Sequence, residues 1–221
     1  MQRHTYPIPG HEHRPVRWVA EWHWPSERIA TRPWQLAHGK QLLPPGTETP
    51  DNGEPETLRS PLRVGLFAGK WCSYGGAPDH PYDQREDDGG SLVFDTEVLD
   101  EPVEILGAPE VELELASDRP VAMVAARLSD IADNDKVTRV SYGLLNLCHR
   151  DSHEHPEELE PGKRYRVRLQ LNHCAHRFAP GHRLRLSLST SYWPLAWAPP
   201  EPMRLSVWPA ESRLLLPQRP G

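Results

Sequence analysis

The residues His182 to Ser189 constrain the fold more tightly than any other stretch. Leu184, Leu186 and Leu188 alternate with Arg183, Arg185, Ser187 and Ser189, the period of a strand that buries one face and leaves the other to solvent. Pro180-Gly181 just before them carries turn chemistry, because proline presets one backbone dihedral and glycine accepts the positive one that follows. Trp193-Pro194 closes the stretch, since proline has no amide to give a central ladder. The segment therefore reads as a sandwich strand.

The same pattern recurs along the chain. Leu92-Val93-Phe94 reads as a short strand, and Val111, Leu113 and Leu115 alternate with Glu110, Glu112 and Glu114. Val121 to Leu128 is nearly all apolar, interrupted by Arg127, and Val137 to Leu147 is long and mixed. Tyr165, Val167, Leu169 and Leu171 alternate with Arg164, Arg166, Arg168 and Gln170. Turn signals separate these runs at Ser117-Asp118-Arg119-Pro120, Asp133-Asn134-Asp135, Pro161-Gly162 and Pro180-Gly181. Regular strands, legible turns and no amphipathic helix of any length predict an all-β chain folded as a β-sandwich.

Upstream the signals are shorter. Residues 1–16 are polar, carry Pro7, Pro9 and Pro15, and read as an extended arm or linker. Trp18, Ala20, Trp22 and Trp24 alternate with Val19, Glu21 and His23, a short strand wanting a surface to cover. Trp34 to His38 reads as another, with Gly39 and Leu42-Leu43 as its turn and return, and 44–60 as a polar loop. A glycine-rich segment follows, Leu66 to Gly76, carrying Trp71 and Tyr74. Residues 17–221 are expected to be one domain with its strand-rich core at 91–208. The 25 prolines, scattered rather than repeated, favour short strands with fixed corners over disorder.

A net charge of -6 supplies no basic footprint for nucleic acid. No apolar run approaches signal-peptide or membrane-span length, which predicts a cytoplasmic chain. Cys72, Cys148 and Cys174 are odd in number and widely spaced, so neither a disulfide framework nor a zinc site is indicated.

The chain carries few residue patterns that point to chemistry of its own. A serine hydrolase nucleophile needs a strained G-x-S-x-G turn; the nearest approach, Trp71-Cys72-Ser73-Tyr74-Gly75, has only the second glycine and no helical pattern after it. Cys148 and His149, as strand neighbours, would point to opposite faces and could not form a thiolate–imidazole pair. No catalytic residue is assigned. His153-x-His155, with His149 and Glu154, has the spacing of a cupin metal site but lacks the surrounding cupin frame. The carboxylates of Asp130 to Asp135 could hold calcium or simply favour a turn. No metal or other cofactor is assigned. The glutamate row at 110, 112 and 114 would complement an arginine row at 164, 166 and 168 or at 183 and 185 if the strands were neighbours; otherwise these are separate solvated faces.

Four stretches in order resemble the C-terminal domain of the CocE/NonD hydrolases, the family of cocaine esterase, α-amino-acid ester hydrolases and X-prolyl dipeptidyl-peptidases. They are Asp83-Gln84-Arg85 ahead of Leu92-Val93-Phe94, and Glu101 to Pro109 leading into Val111-Glu112-Leu113. Then come Ala126 to Ile131, followed by Gly143 to Asn146 and His149-Arg150, and finally Leu159 to Tyr165 with Phe178 to Pro194. The resemblance spans roughly residues 83–208. It implies a jelly-roll sandwich similar to galactose-binding domains, placed beside an α/β-hydrolase domain on the same or a separate chain. Independently of the resemblance, a homo-oligomer stays open as a partner arrangement. The family's Ser, Asp and His motifs are not matched here, so Met1 would begin an excised piece, a shortened paralogue or a separate subunit. By the same resemblance the sandwich shapes the substrate entrance, which implies that Trp71 and Tyr74 are rim residues.

Three readings compete. The first is a non-catalytic accessory domain of a serine ester or X-Pro peptide hydrolase. The second is a free-standing carbohydrate-binding module, with exposed Trp and Tyr as stacking platforms. The third is a metal-dependent sandwich enzyme built on His153 and His155.

Overall fold

The structure is a computed structural model that describes residues 1–8, 10, 13–49, 53–69 and 80–220. Thirteen strands carry its described residues: β1 (Ala30–Ala37), β2 (Gln41–Leu43), β3 (Glu56–Leu58), β4 (Leu92–Asp95), β5 (Val103–Gly107), β6 (Glu110–Ser117) and β7 (Met123–Ile131) come first. They are followed by β8 (Val137–Asn146), β9 (Tyr165–Gln170), β10 (Cys174–Phe178), β11 (Arg183–Ser189), β12 (Leu205–Val207) and β13 (Arg213–Gln218). Among the described residues the one α-helix is a single turn, α1 (Arg85–Asp88).

Hydrogen bonds join the strands in the order β3-β12-β6-β13-β1-β2-β4-β11-β7-β8, with β9 on the free side of β6 and the β5–β10 pair meeting the end of β13. This path folds back on itself, because the apolar rows of its two halves meet. Phe94, Leu128, Leu184 and Leu186 from β4, β7 and β11 share one buried cluster with Val111, Leu113, Leu214 and Leu216 from β6 and β13. Period-2 alternation turns one row of each strand toward that interior, and the result is a β-sandwich.

Most expected strands fall where the alternation puts them, including β6, β8, β9 and β11. Residues 17–24 do not form a strand. Trp18 and Trp22 are 92% and 95% exposed, so their alternation has no ladder or core to serve. The polar loop 44–60 contains β3, an edge strand that hydrogen-bonds to β12. Gly39 and Lys40 both take positive φ, 74° and 63°, in the turn that returns β1 to β2.

The outer face of β11 is not solvated. Ser187 and Ser189 are as fully buried as the leucines they alternate with, because residues 60–68 and 84–91 cover that face. Ser187 Oγ donates to Asp88 Oδ1 at 2.7 Å, and Ser191 Oγ donates to the Leu62 carbonyl at 3.3 Å. The cover has its own small core of Val64, Ala68, Met123, Ala125 and Tyr192. All of β7 is consequently buried, on both faces.

The glutamate row does lie beside an arginine row. β6 and β9 are antiparallel, with Glu112 opposite Arg168 and Glu114 opposite Arg166. Glu114 lies 3.4 Å from Arg166, Glu110 is paired with Arg168, and Glu112 accepts a 2.6 Å bond from Arg213 of β13. Arg183 and Arg185 take other partners, Asp135 and Asp95. Arg166 and Arg168 remain largely exposed, so these pairs fix register more than they stabilise. A double-mutant cycle on Glu110→Ala and Arg168→Ala, read by urea unfolding, should give a coupling of about 0.2–1 kcal/mol. A coupling several times larger would contradict this reading.

Candidate functional site

The Asp83-Gln84-Arg85 triplet brackets a loop. Gln84 is fully buried, and its Nε2 donates to the carbonyls of Phe67 at 2.9 Å and Tyr82 at 2.8 Å. The Tyr82 amide also donates to the Phe67 carbonyl at 3.0 Å, so one side chain and one backbone bond close the base of the segment between them. Asp83 accepts from the Arg85 and Val137 amides and pairs with Arg85 Nη2 at 2.8 Å. Burial alone would raise the Asp83 pKa, but these bonds outweigh it and hold the carboxyl below its ordinary value.

α1 supplies the second anchor. Its Asp87 accepts the Gly65 amide at 2.9 Å and the Phe67 amide at 3.2 Å. Burial nevertheless pushes the Asp87 carboxyl above the usual range, opposed by those amides and by Arg127. Asp88 accepts from Arg127, Ser187 and Arg185 at 2.7–2.9 Å, and Arg185 also makes a two-pronged pair with Asp95 at 2.7 and 2.6 Å. Burial works against the Arg185 cation, yet Asp95 and Asp88 more than offset it and raise its pKa. The charged residues of α1, β7 and β11 thus form a network that holds the chain just before the 68–81 segment through Asp87, while Gln84 ties together its two flanks, Phe67 and Tyr82. Trp71 and Tyr74, expected at a substrate rim, lie in that segment outside the described residues, as do Ser73 and Cys72.

Where the segment returns, at His80 and Pro81, it borders a cleft of about 320 Å³ between residues 2–8, β8 and β10. Arg3, Arg14 and Arg139 line it, and no carboxylate is among its described lining residues. This is a cationic hollow on a chain whose net charge is -6.

On the other side of the anchor lies an apolar surface. The Gly65 backbone is pressed against Trp193, whose amide donates to the Val64 carbonyl at 2.9 Å. Around this contact Leu62, Leu66, Trp193 and Trp197 are all exposed, Trp197 at 84%. The Trp193 and Trp197 rings stand edge to face at 5.1 Å, and Trp197 borders a groove with Met123, Leu144 and Leu145. Trp193 drew attention in the sequence only as a strand stop. The W-P-x-x-W spacing, two large apolar residues outside any alternating run, was the available signal.

The other sequence candidates separate. Cys148 and His149 sit in a 3-10 turn, Leu147–His149, rather than a strand. The Cys148 thiol faces the Pro120 carbonyl at 3.7 Å, while the His149 ring lies 3.4 Å from that of His153. His153 and His155 are exposed, and no third ligand joins them among the described residues. Asp133, Asn134 and Asp135 make a turn, with the Asp135 amide donating to the Ala132 carbonyl. Asp130 is not part of that turn; it is buried on β7 beside His176 and His182.

Comparison with known proteins agrees with this architecture. Residues 2–218 match the family described as the X-Pro dipeptidyl-peptidase C-terminal non-catalytic domain. Cocaine esterase of Rhodococcus sp. (strain MB1 Bresler) is 28% identical over 97 residues, 44% of this chain and 16% of the esterase. An aminopeptidase from a marine sediment archaeon, Thaumarchaeota archaeon, superposes with a TM-score of 0.73 at 19% identity, covering 90% of this chain and 38% of that one. An α-amino acid ester hydrolase gives 0.70 at 21% identity, covering 86% and 36%. A CocE/NonD family hydrolase from Staphylococcus aureus gives 0.67 at 14% identity, covering 91% and 38%. The chain thus spans well under half the length of each of these proteins. It belongs to the X-Pro dipeptidyl-peptidase C-terminal non-catalytic domain family, the β-sandwich C-terminal domain of CocE/NonD-type hydrolases.

Proposed function

We propose that this sandwich, of jelly-roll type, packs on an α/β-hydrolase domain and shapes substrate access to that domain's reaction centre, with the 68–81 segment at the entrance. The observation that carries this reading is the double anchorage of that segment by Gln84 and Asp87, directly beside the exposed Leu62, Leu66, Trp193 and Trp197. A cluster of large apolar side chains exposed together marks a protein interface more often than bare solvent exposure. Trp71 and Tyr74 would then contact the substrate's leaving or acyl portion as rim residues, and the bond cleaved would be an ester or an X-Pro amide. The attacking serine would belong to the hydrolase domain.

Two experiments test this. Co-expression with an α/β-hydrolase that carries a G-x-S-x-G elbow, encoded on the same reading frame or next to it, should give one complex by size-exclusion chromatography. Trp193→Glu with Trp197→Glu should weaken that complex at least tenfold, in keeping with the roughly 2 kcal/mol or more lost at interface hot spots. Unchanged association in the double variant would rule out this face. Separately, Trp71→Ala and Tyr74→Ala should alter KM for bulky substrates of the assembled enzyme; unaltered kinetics in both would remove them from the rim.

A further inference from the structure

We propose that His4, Asp130 and His182 bind one divalent transition ion of the zinc, cobalt or nickel class. The Asp130 carboxylate is fully buried on β7. Its Oδ1 is 2.7 Å from His182 Nδ1, at the start of β11, and its Oδ2 is 2.8 Å from His176 Nε2 on β10. His4 Nδ1, from the segment leading into the fold, lies 3.6 Å from Oδ2.

One ligand atom from each of His4, Asp130 and His182 falls within 4.8 Å of the others. Around a tetrahedral zinc, with bonds of about 2.0–2.2 Å, neighbouring ligand atoms stand roughly 3.4 Å apart. Small side-chain rotations therefore suffice to close the triangle. His176 holds one carboxylate oxygen and so fixes the plane of the group, the role that outer partners play at metal centres.

His4 provides the independent observation. Both of its ring nitrogens are buried and neither has a hydrogen-bond partner. Buried ring nitrogens with no hydrogen-bond partner are costly, and a metal at the 3.6 Å gap would satisfy one of them directly. The two histidine side chains keep 16% and 13% of their exposure, so an ion can enter and solvent can complete its coordination. Two imidazoles and one carboxylate suit zinc, cobalt or nickel, whereas calcium and magnesium take all-oxygen sets.

Such an ion would staple residues 1–8 to the sandwich. That segment is otherwise held by a few polar bonds, among them Gln2 N to the Ala175 carbonyl at 2.9 Å and Thr138 Oγ1 to the Thr5 carbonyl at 2.8 Å.

The test uses the whole chain, stripped with a chelator that is then dialysed away, and titrated with zinc chloride by calorimetry and cobalt chloride by visible absorption. One equivalent should bind, and zinc should raise Tm, because a ligand that prefers the native state stabilises it. His4→Ala and His182→Gln should each weaken binding at least tenfold and abolish the Tm shift. The exposed His149–His153 pair could bind metal on its own, so His149→Ala with His153→Ala is the control and should leave the equivalent intact. Absence of binding by both metals, or binding that survives His4→Ala and disappears with the loop histidines, would overturn the proposal. Should His182→Gln not fold, His4→Ala, which lies outside every sheet, decides the matter.

Discussion

Replacing Arg127 by alanine is expected to cost about 3–5 kcal/mol of unfolding free energy, the usual penalty for leaving buried charge without its partner. The Arg127 side chain is entirely buried. Its Nη2 donates to Asp88 at 2.9 Å and to Ser91 at 2.7 Å, its Nη1 lies 3.6 Å from Asp87, and the guanidinium stands 5.5 Å from the Tyr192 ring centre. Truncation strips the cation from two buried carboxylates at once. Asp88 would keep Arg185 and Ser187, and Asp87 would keep the Gly65 and Phe67 amides, which places the effect toward the lower end of that range. Against a total stability of about 5–15 kcal/mol for a domain, it would still shift the urea midpoint conspicuously. Arg127→Met combined with Asp88→Asn should recover part of the loss, since removing both members of a buried pair is far milder than removing one. A cost below about 1 kcal/mol for Arg127→Ala would mean the network does not hold α1 as described.

Gly65→Ala is expected to break the apolar surface from beneath. Gly65 has φ +111°, a conformation that side-chain-bearing residues adopt at a cost of about 1–3 kcal/mol. A Cβ there would also stand 2.3 Å from the Trp193 carbonyl oxygen and 2.7 Å from its amide nitrogen. Both obstacles are backbone atoms, so no rotamer change relieves them and the 61–68 and 192–197 segments must part. Limited proteolysis should then cut near Leu62 to Phe67 many times faster than in the parent chain, while the strands of the sandwich persist by circular dichroism. Wild-type resistance in Gly65→Ala would show that these segments are not locked together through this contact.

The strands were legible because alternation is a local property. Leu184, Leu186 and Leu188 announce β11 within seven residues, and the same holds for the β6 and β9 rows. The rows even indicated their own pairing through opposite charge. What covers the outer face of β11 was not legible, because Ser187 reads as solvated until Asp88, almost a hundred positions away, is placed on it. The Trp18 to Trp24 alternation was misleading for the converse reason: a period of two is needed for a strand, but without a ladder partner it does not make one.

The candidate site followed the same division. Asp83-Gln84-Arg85 was recognisable as a motif, yet its use as a bracket on Phe67 and Tyr82 depends on how the chain returns. The histidines that crowd together in sequence, at 149, 153 and 155, remain on an exposed loop. Those that meet a buried carboxylate come from positions 4, 176 and 182, brought to Asp130 by three separate elements. Sequence spacing finds ligand sets borne on one turn or one helix and misses sets assembled by a sheet.

The central claim is that this chain borders a reaction centre and contributes no nucleophile of its own. Incubating the purified chain with a fluorophosphonate, which phosphonylates activated serines, and weighing the intact protein tests it most directly. The account predicts the unmodified mass. A stoichiometric adduct on one serine, Ser73 included, that disappears when that serine becomes alanine would contradict it.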